Sequence, residues 1–328
     1  MENSTMLNAM IQRVMTEKAF LERIGMSERE MKAFLKERRM REICVELLAF
    51  VGKDGRFISQ NVLKAAAPLL DAMSPAPREG RLLNAYNGIL LYLFPEKQAA
   101  FDDSPSVAKS RLFLLQLLKS LYKYERRNLP FDPTVDFCLL DDNEMGSGEY
   151  GEEYMRLVDL IDSNYLYEFM RLGVDLTPFN TLGHIAGVHY VAMHAARQLQ
   201  ALNVPVDLGL VSGAAAGHDI GKYGCKKSEE KRIPYLHYYY TDICFNRFGM
   251  PMTGHIAANH STWDLELDNL SAEALLLIYA DFRVKSSRNQ DGSETVHFYD
   301  LDRSFQVILD KLDNVDAAKE HRYRKVYN

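Results

Sequence analysis

Apolar residues recur at helical spacing along most of the chain. Met31, Phe34, Leu35, Ile43, Leu47 and Leu48 trace one face between Glu28 and Val51 and predict a helix there. Gly52-Lys53-Asp54-Gly55 ends it. Ser59 is placed to cap a helix reaching Leu70, with Pro75-Ala76-Pro77 beyond its end. Arg81 to Phe94 reads as another apolar helix, stopped by Pro95. Ser104-Pro105, a cap followed by proline at the first helical position, opens a helix to about Tyr124. The texture then changes. Residues 128–150 hold two prolines and the acidic, glycine-rich run 141–149, which predicts a linker and the chain's domain boundary. Helices resume near Glu152 and again near Thr181. A turn signal at 288–293 precedes the strand-like Thr295-Val296-His297-Phe298-Tyr299, and a last helix starts near Arg303. The expectation is an all-α fold with one small β-hairpin near the C-terminus. An N-terminal helical region (1–145) of unassigned role precedes a second domain (146–328) with its core at about 170–290. The last residues are still helical in character without a stop signal, as expected of a piece of something longer.

Composition narrows the classes. The chain has 328 residues, 47% hydrophobic and 26% charged, which excludes disorder and low complexity. A net charge of -6 disfavours a general nucleic-acid or anionic-membrane coat. No apolar run approaches the ~18 residues of a membrane span, and the start lacks a secretory pattern. The four cysteines, Cys44, Cys138, Cys225 and Cys244, form no CxxC pair and read as reduced thiols. A cytoplasmic protein is expected.

The histidines are unevenly spread. Seven of the nine (184, 189, 194, 218, 237, 255 and 260) fall between positions 184 and 260. In order, the stretch reads Leu182-Gly183-His184, then Gly217-His218-Asp219-Ile220-Gly221-Lys222, His237, Asn259-His260 and Ala280-Asp281. Imidazole nitrogen and carboxylate oxygen suit borderline-hard divalent metals, and a carboxylate can bridge two ions. The ordered set His…His-Asp…Asp with two further histidines between therefore points to a metal centre.

The same set resembles the HD-domain superfamily of metal-dependent phosphohydrolases over residues 170–290. The order His237, Phe248-Gly249-Met250-Pro251, His260, Ala280-Asp281 looks most like the dinuclear symmetrical diadenosine tetraphosphate hydrolase-like subgroup. The HD-GYP cyclic dinucleotide phosphodiesterases are disfavoured. They have paired histidines where this chain has Asn259-His260, and a Gly-Tyr-Pro where Leu265-Glu266 follows Asp264. The resemblance implies an HD helical bundle with His184, His218, Asp219, His237, His260 and Asp281 as metal ligands. It implies two ions sharing Asp219, with Fe, Mn or Co favoured over Zn or Mg, and a metal-activated water that attacks phosphorus. Lys222 matches a family lysine facing the phosphate. It joins Asp219 as a catalytic residue, and Arg283 and Lys285 are candidates to contact a distal phosphate. The implied activity is hydrolysis of a phosphoester or phosphoanhydride of a nucleotide or another small phosphorylated molecule. The alternative is a weakly catalytic or non-catalytic nucleotide-binding regulatory HD module of a larger protein. The oligomeric state stays open, and neither nucleic acid nor membrane is an expected partner.

Other residues carry blander readings. His189 lies about 140° round the helix from His184 and is expected to pack rather than ligate. His194 and His255 read as surface residues. Trp263 suits a base-stacking or a pocket-wall role, and Asp264 can orient a ligand or cap a segment. The basic tail, Lys319, Arg322, Arg324 and Lys325, reads as a solvated helix face.

Overall fold

A computed structural model describes residues 2–145, 149–177, 181–260, 270–289 and 294–307. Apart from one antiparallel pair of strands near the C-terminus, the regular elements among them are helical. The all-α expectation with a small hairpin holds. No described helix is long and apolar enough to cross a membrane.

Helices α1 (Glu2–Met15), α2 (Lys18–Ile24), α3 (Glu28–Glu37) and α4 (Met40–Ala49) open the chain. The single helix expected over 28–51 is therefore two. Arg39 adopts φ 50°, a left-handed conformation that an L-residue takes at a cost and that ends one helix and starts the next. Helices α5 (Ser59–Ala65) and α6 (Ala67–Met73) likewise replace one expected helix. Pro68, near the start of α6, has no N–H to continue the ladder from α5. Ser59 is the first helical residue and not the cap. Its N–H donates to Asp175 Oδ2 at 2.8 Å. Helices α7 (Arg81–Leu93) and α8 (Pro105–Asn128) start and stop close to expectation, although the Ser104 side chain makes no capping bond. Helix α9 (Gly151–Asp162) and α10 (Leu166–Leu176) follow.

Contacts sort the chain into two units, neither continuous in sequence. The first comprises Met1–Asp132, Met155–Leu182 and Lys222–Leu236. The second comprises Pro133–Tyr154, Gly183–Gly221 and the described residues from His237 onward. The single cut at 145/146 drawn from composition is crossed by this division, because the chain returns to the first unit twice after the linker.

The first unit is organised on α8, whose buried Phe113, Leu114, Leu117, Leu118 and Leu121 pack against α1, α6 and α7. Two buried charges of α8 are compensated there. Lys119 Nζ lies 2.7 Å from Glu17 and 3.0 Å from Asp162, and Glu125 accepts from Arg171 at 2.7 Å.

The second unit holds α11 (Leu182–Ala201, from Gly183), α12 (Leu208–Gly217), most of α14 (Ile233–Arg247), α15 (Pro251–Ala258) and α16 (Ala272–Arg283). The short α13 (Gly221–Gly224) belongs to the first unit from Lys222 onward. All of α12 is buried, and it packs on α15 and α16. Its glycine- and alanine-rich sequence permits that proximity. A Cβ on Gly217 would lie 2.5 Å from the Phe245 ring. Strands β1 (Val284–Arg288) and β2 (Glu294–Phe298) pair antiparallel, with Val284 opposite Phe298. Residues 301–307 are helical, close to the start expected near Arg303.

Candidate metal centre

Five segments of the second unit each deliver one or two donor side chains. His184 sits in the first turn of α11. His218 and Asp219 follow directly on α12, Asp281 lies in the last turn of α16, and His237 and His260 come from α14 and the residue pair after α15. All six are buried, with His218 at 0% and Asp219 at 1% exposure. They converge. His184 Nε2 is 3.1 Å from Asp281 Oδ1, 3.2 Å from His218 Nε2 and 3.5 Å from Asp219 Oδ2. His218 Nε2 is 3.8 Å from Asp219 Oδ2 and 4.0 Å from Asp281 Oδ1. On the other side of the same carboxylate, Asp219 Oδ1 is 3.5 Å from His237 Nε2 and 3.9 Å from His260 Nε2.

The two oxygens of Asp219 thus face different partners: Oδ2 faces His184 and His218, Oδ1 faces His237 and His260. The triads His184–His218–Asp281 and His218–Asp219–His260 each bring one atom per residue within 4.8 Å of the others, a spacing that can hold a metal ion.

Backbone carbonyls select the tautomers. His218 Nδ1 donates to the Ala215 carbonyl at 3.0 Å, and His260 Nδ1 donates to the Ala257 carbonyl at 2.6 Å. A carbonyl can only accept, so the ring proton belongs on Nδ1 and the lone pair of Nε2 points into the cluster. This is the usual outer bond of a metal-ligating histidine.

Burial pushes the His218 imidazole down to about 3, against the two nearby carboxylates, so the ring is neutral at neutral pH. Burial acts to raise Asp281, but the Lys285 ammonium and a hydrogen bond from His184 hold its carboxyl well below the usual range. The Nε2 lone pairs of His218 and His260 and the carboxylate of Asp281 therefore lie in one buried cluster, an arrangement that a cation stabilises. The donor set fits a divalent metal.

Thr241 and Gly221 were not legible as site residues. The Thr241 hydroxyl accepts from the Gly221 N–H at 3.0 Å and donates to the His218 carbonyl at 3.1 Å, tying α14 to the His-Asp turn. A Cβ on Gly221 would fall 2.0 Å from the His237 carbonyl oxygen and 2.5 Å from the Thr241 nitrogen. Only glycine admits α14 this close, and that approach puts His237 beside Asp219. The signal was present in Asp219-Ile220-Gly221, but nothing in sequence says which backbone a glycine meets.

The proposed cations are placed differently. Lys285 Nζ donates to the Asp281 carbonyl at 2.6 Å and lies 3.3 Å from Asp281 Oδ2. Arg283 Nε donates to the Tyr299 carbonyl at 2.6 Å, and its Nη1 donates to the Tyr279 hydroxyl. Lys222 lies in α13, half-buried, in the first unit. Of the expected bystanders, His194 and His255 are exposed. His189 is fully buried. Its Nδ1 accepts from the Cys138 N–H at 3.2 Å and its Nε2 lies 3.0 Å from the Ser212 hydroxyl, so it is a packing histidine between α11 and α12. Trp263, Asp264 and the basic tail lie outside the described residues.

No family model, curated protein or solved structure matches the chain.

Proposed function

We propose that the chain is a metal-dependent phosphohydrolase of the HD kind, acting on a nucleotide or another small phosphorylated molecule. One observation carries the reading. Six residues distant in sequence converge in a buried cluster in which the two oxygens of Asp219 face two separate pairs of histidines. We read that division as the basis for two divalent ions. His184, His218, Asp281 and Asp219 Oδ2 would hold one, and His237, His260 and Asp219 Oδ1 the other. The absence of thiolate among the donors disfavours a structural zinc site, and Fe, Mn or Co is the proposed occupant.

Divalent ions in such a site supply Lewis acidity toward water and toward phosphoryl oxygens. The protein's own part is to keep the His218 imidazole neutral through burial and to fix His218 and His260 through the Ala215 and Ala257 carbonyls. Lys285 supports Asp281 in this reading rather than reaching a distal phosphate. Lys222, adjacent to the His-Asp turn in sequence, is the proposed cation for a phosphoryl oxygen. A phosphate-handling protein of net charge -6 depends on such local positive charge. We place it in the cytoplasm, where its four cysteines stay reduced.

The test is metal analysis of purified protein with a phosphoester panel: dinucleoside polyphosphates, nucleoside mono- and triphosphates, and cyclic dinucleotides. The expected result is two metal equivalents and turnover of one substrate class, both lost in Asp219→Ala. Retained turnover in Asp219→Ala would overturn the metal mechanism. Metal with tight nucleotide binding and no turnover would instead identify a regulatory HD module.

A further inference from the structure

Helix α15 has no cap of its own. Met250 stands at its N-cap position without a side-chain bond, and Pro251 follows. The orphan donors of the first turn are met from elsewhere in the unit. Glu153, only 8% exposed, accepts from the Met252 N–H at 3.2 Å through Oε1. Through Oε2 it accepts from the Thr253 N–H and from the Thr253 hydroxyl, both at 2.8 Å. A carboxylate bound in this way satisfies two helix-end donors and complements the positive end of the helix.

The far end of the same eight-residue helix holds a site histidine. The Ala257 carbonyl accepts from His260 Nδ1 at 2.6 Å, which aims Nε2 at Asp219 Oδ1. Gly254, between the two ends, lies so close to Phe245 that a Cβ there would sit 2.7 Å from the Phe245 Cβ. Three hydrogen bonds at one end therefore set the register of a short, closely packed helix whose other end holds His260.

We propose that Glu153 is a positioning residue for the His237–His260 side of the metal centre, acting through α15 on the orientation and tautomer of His260. The inference rests on the metal reading of the cluster. It does not depend on which reaction, if any, the centre catalyses. The Glu153 carboxylate is bonded to Met252 and Thr253, not to the six donor residues. Its effect falls first on His260, the one donor that follows directly on α15.

The test uses the full chain with Co²⁺ as probe, followed by its visible absorption and by equilibrium dialysis. A metal-free long-range ¹H–¹⁵N imidazole spectrum is recorded alongside, with the His260 signal assigned from His260→Gln. Glu153→Gln keeps the shape and loses the charge and one acceptor. Thr253→Val removes one bond of the three and keeps the carboxylate. In Glu153→Gln the second Co²⁺ is expected to bind about 10-fold more weakly or worse while the first binds as in the wild type, the size usual for outer-shell partners of metal ligands. His260 should lose its Nδ1–H signature in the metal-free spectrum. Thr253→Val should shift both readouts the same way by less, and it serves if Glu153→Gln fails to fold. An unchanged His260 signal together with an unchanged Co²⁺ titration in a folded variant would overturn the proposal. Lost phosphohydrolysis is not its readout. A wild type that hydrolyses nothing would sink the enzymatic reading and leave the imidazole spectrum to decide this one.

Discussion

Lys285 is bonded to both the main chain and the side chain of Asp281: its Nζ donates to the carbonyl at 2.6 Å and lies 3.3 Å from Oδ2. The residues stand four apart, one in the last turn of α16 and one in β1, so the pair joins helix to hairpin at the cluster. Asp281 Oδ1 is left to face His184. Lys285→Met should remove the cation that offsets this buried carboxylate and destabilise the metal-free protein by about 1–3 kcal/mol. Added divalent metal should then raise the melting temperature by more than it does in the wild type, since the ion takes over the lost compensation. Melting curves with and without metal check this. A lysine that served only a substrate would leave the metal-free melt unchanged.

Gly221 leaves no room for a side chain. Its Cβ would strike the His237 carbonyl and the Thr241 nitrogen, both backbone atoms of α14. Gly221→Ala should therefore displace α14 or the His-Asp turn. The expected cost is about 1–3 kcal/mol in chemical denaturation, the range for overpacking, together with a loss of metal on the His237 side. Wild-type stability and metal stoichiometry in the variant would contradict the close approach.

His189 is a neutral buried imidazole whose proton affinity burial lowers to about 3, with Arg197 adding to the effect. Its unfolded value is about 6.5. Between these values the unfolded chain takes up a proton that the folded one refuses. Stability is therefore complete above pH 6.5 and falls as pH drops, by up to about 1.4 kcal/mol per unit from this group. His189→Gln should flatten the acid side of the stability curve, measured by urea denaturation between pH 4.5 and 7. It should also lower stability at pH 7.5, because the Cys138 N–H and Ser212 lose part of their hydrogen bonding.

Glu168 in α10 has the opposite sign. Burial pushes its carboxyl up to about 7, outweighing a backbone hydrogen bond and the more distant Arg126 and Lys119. The folded state keeps a proton that the unfolded state releases above about pH 4.5. Glu168 thus costs nothing in acid and costs progressively more as pH rises toward 7, up to about 3 kcal/mol beyond it. Glu168→Gln should raise the melting temperature at pH 8 and leave it nearly unchanged at pH 4.5. Equal shifts at both values would show that the carboxyl is not held protonated by the fold.

Local signals in the sequence account for much of the helical framework. Period 3.6, Pro95 and the Ser104-Pro105 start set both bounds of α7 and the start of α8 within a residue or two, while α8 runs four residues past its expected end at Tyr124. The same signals missed the breaks at Arg39 and Ala66, because those depend on one residue in a left-handed conformation and on one proline's missing donor inside an otherwise continuous apolar pattern. The discontinuous make-up of the two units was not legible either. Composition sees the linker, whereas contacts see where the chain returns afterwards.

The chemistry divides in the same way. The order His…His-Asp…His…His…Asp pointed to a metal centre, its resemblance to the HD superfamily singled out the six residues, and the fold brings all six together. Tertiary structure decided which oxygen of Asp219 faces which histidine, that Lys285 is occupied with Asp281, and that Glu153, Thr241 and Gly221 support the cluster. The physical reason is range. Helix signals and ligand types are properties of single residues and near neighbours. Orientation, burial and hydrogen-bond partnership are set by groups up to about a hundred positions away, as Glu153 and Thr253 are.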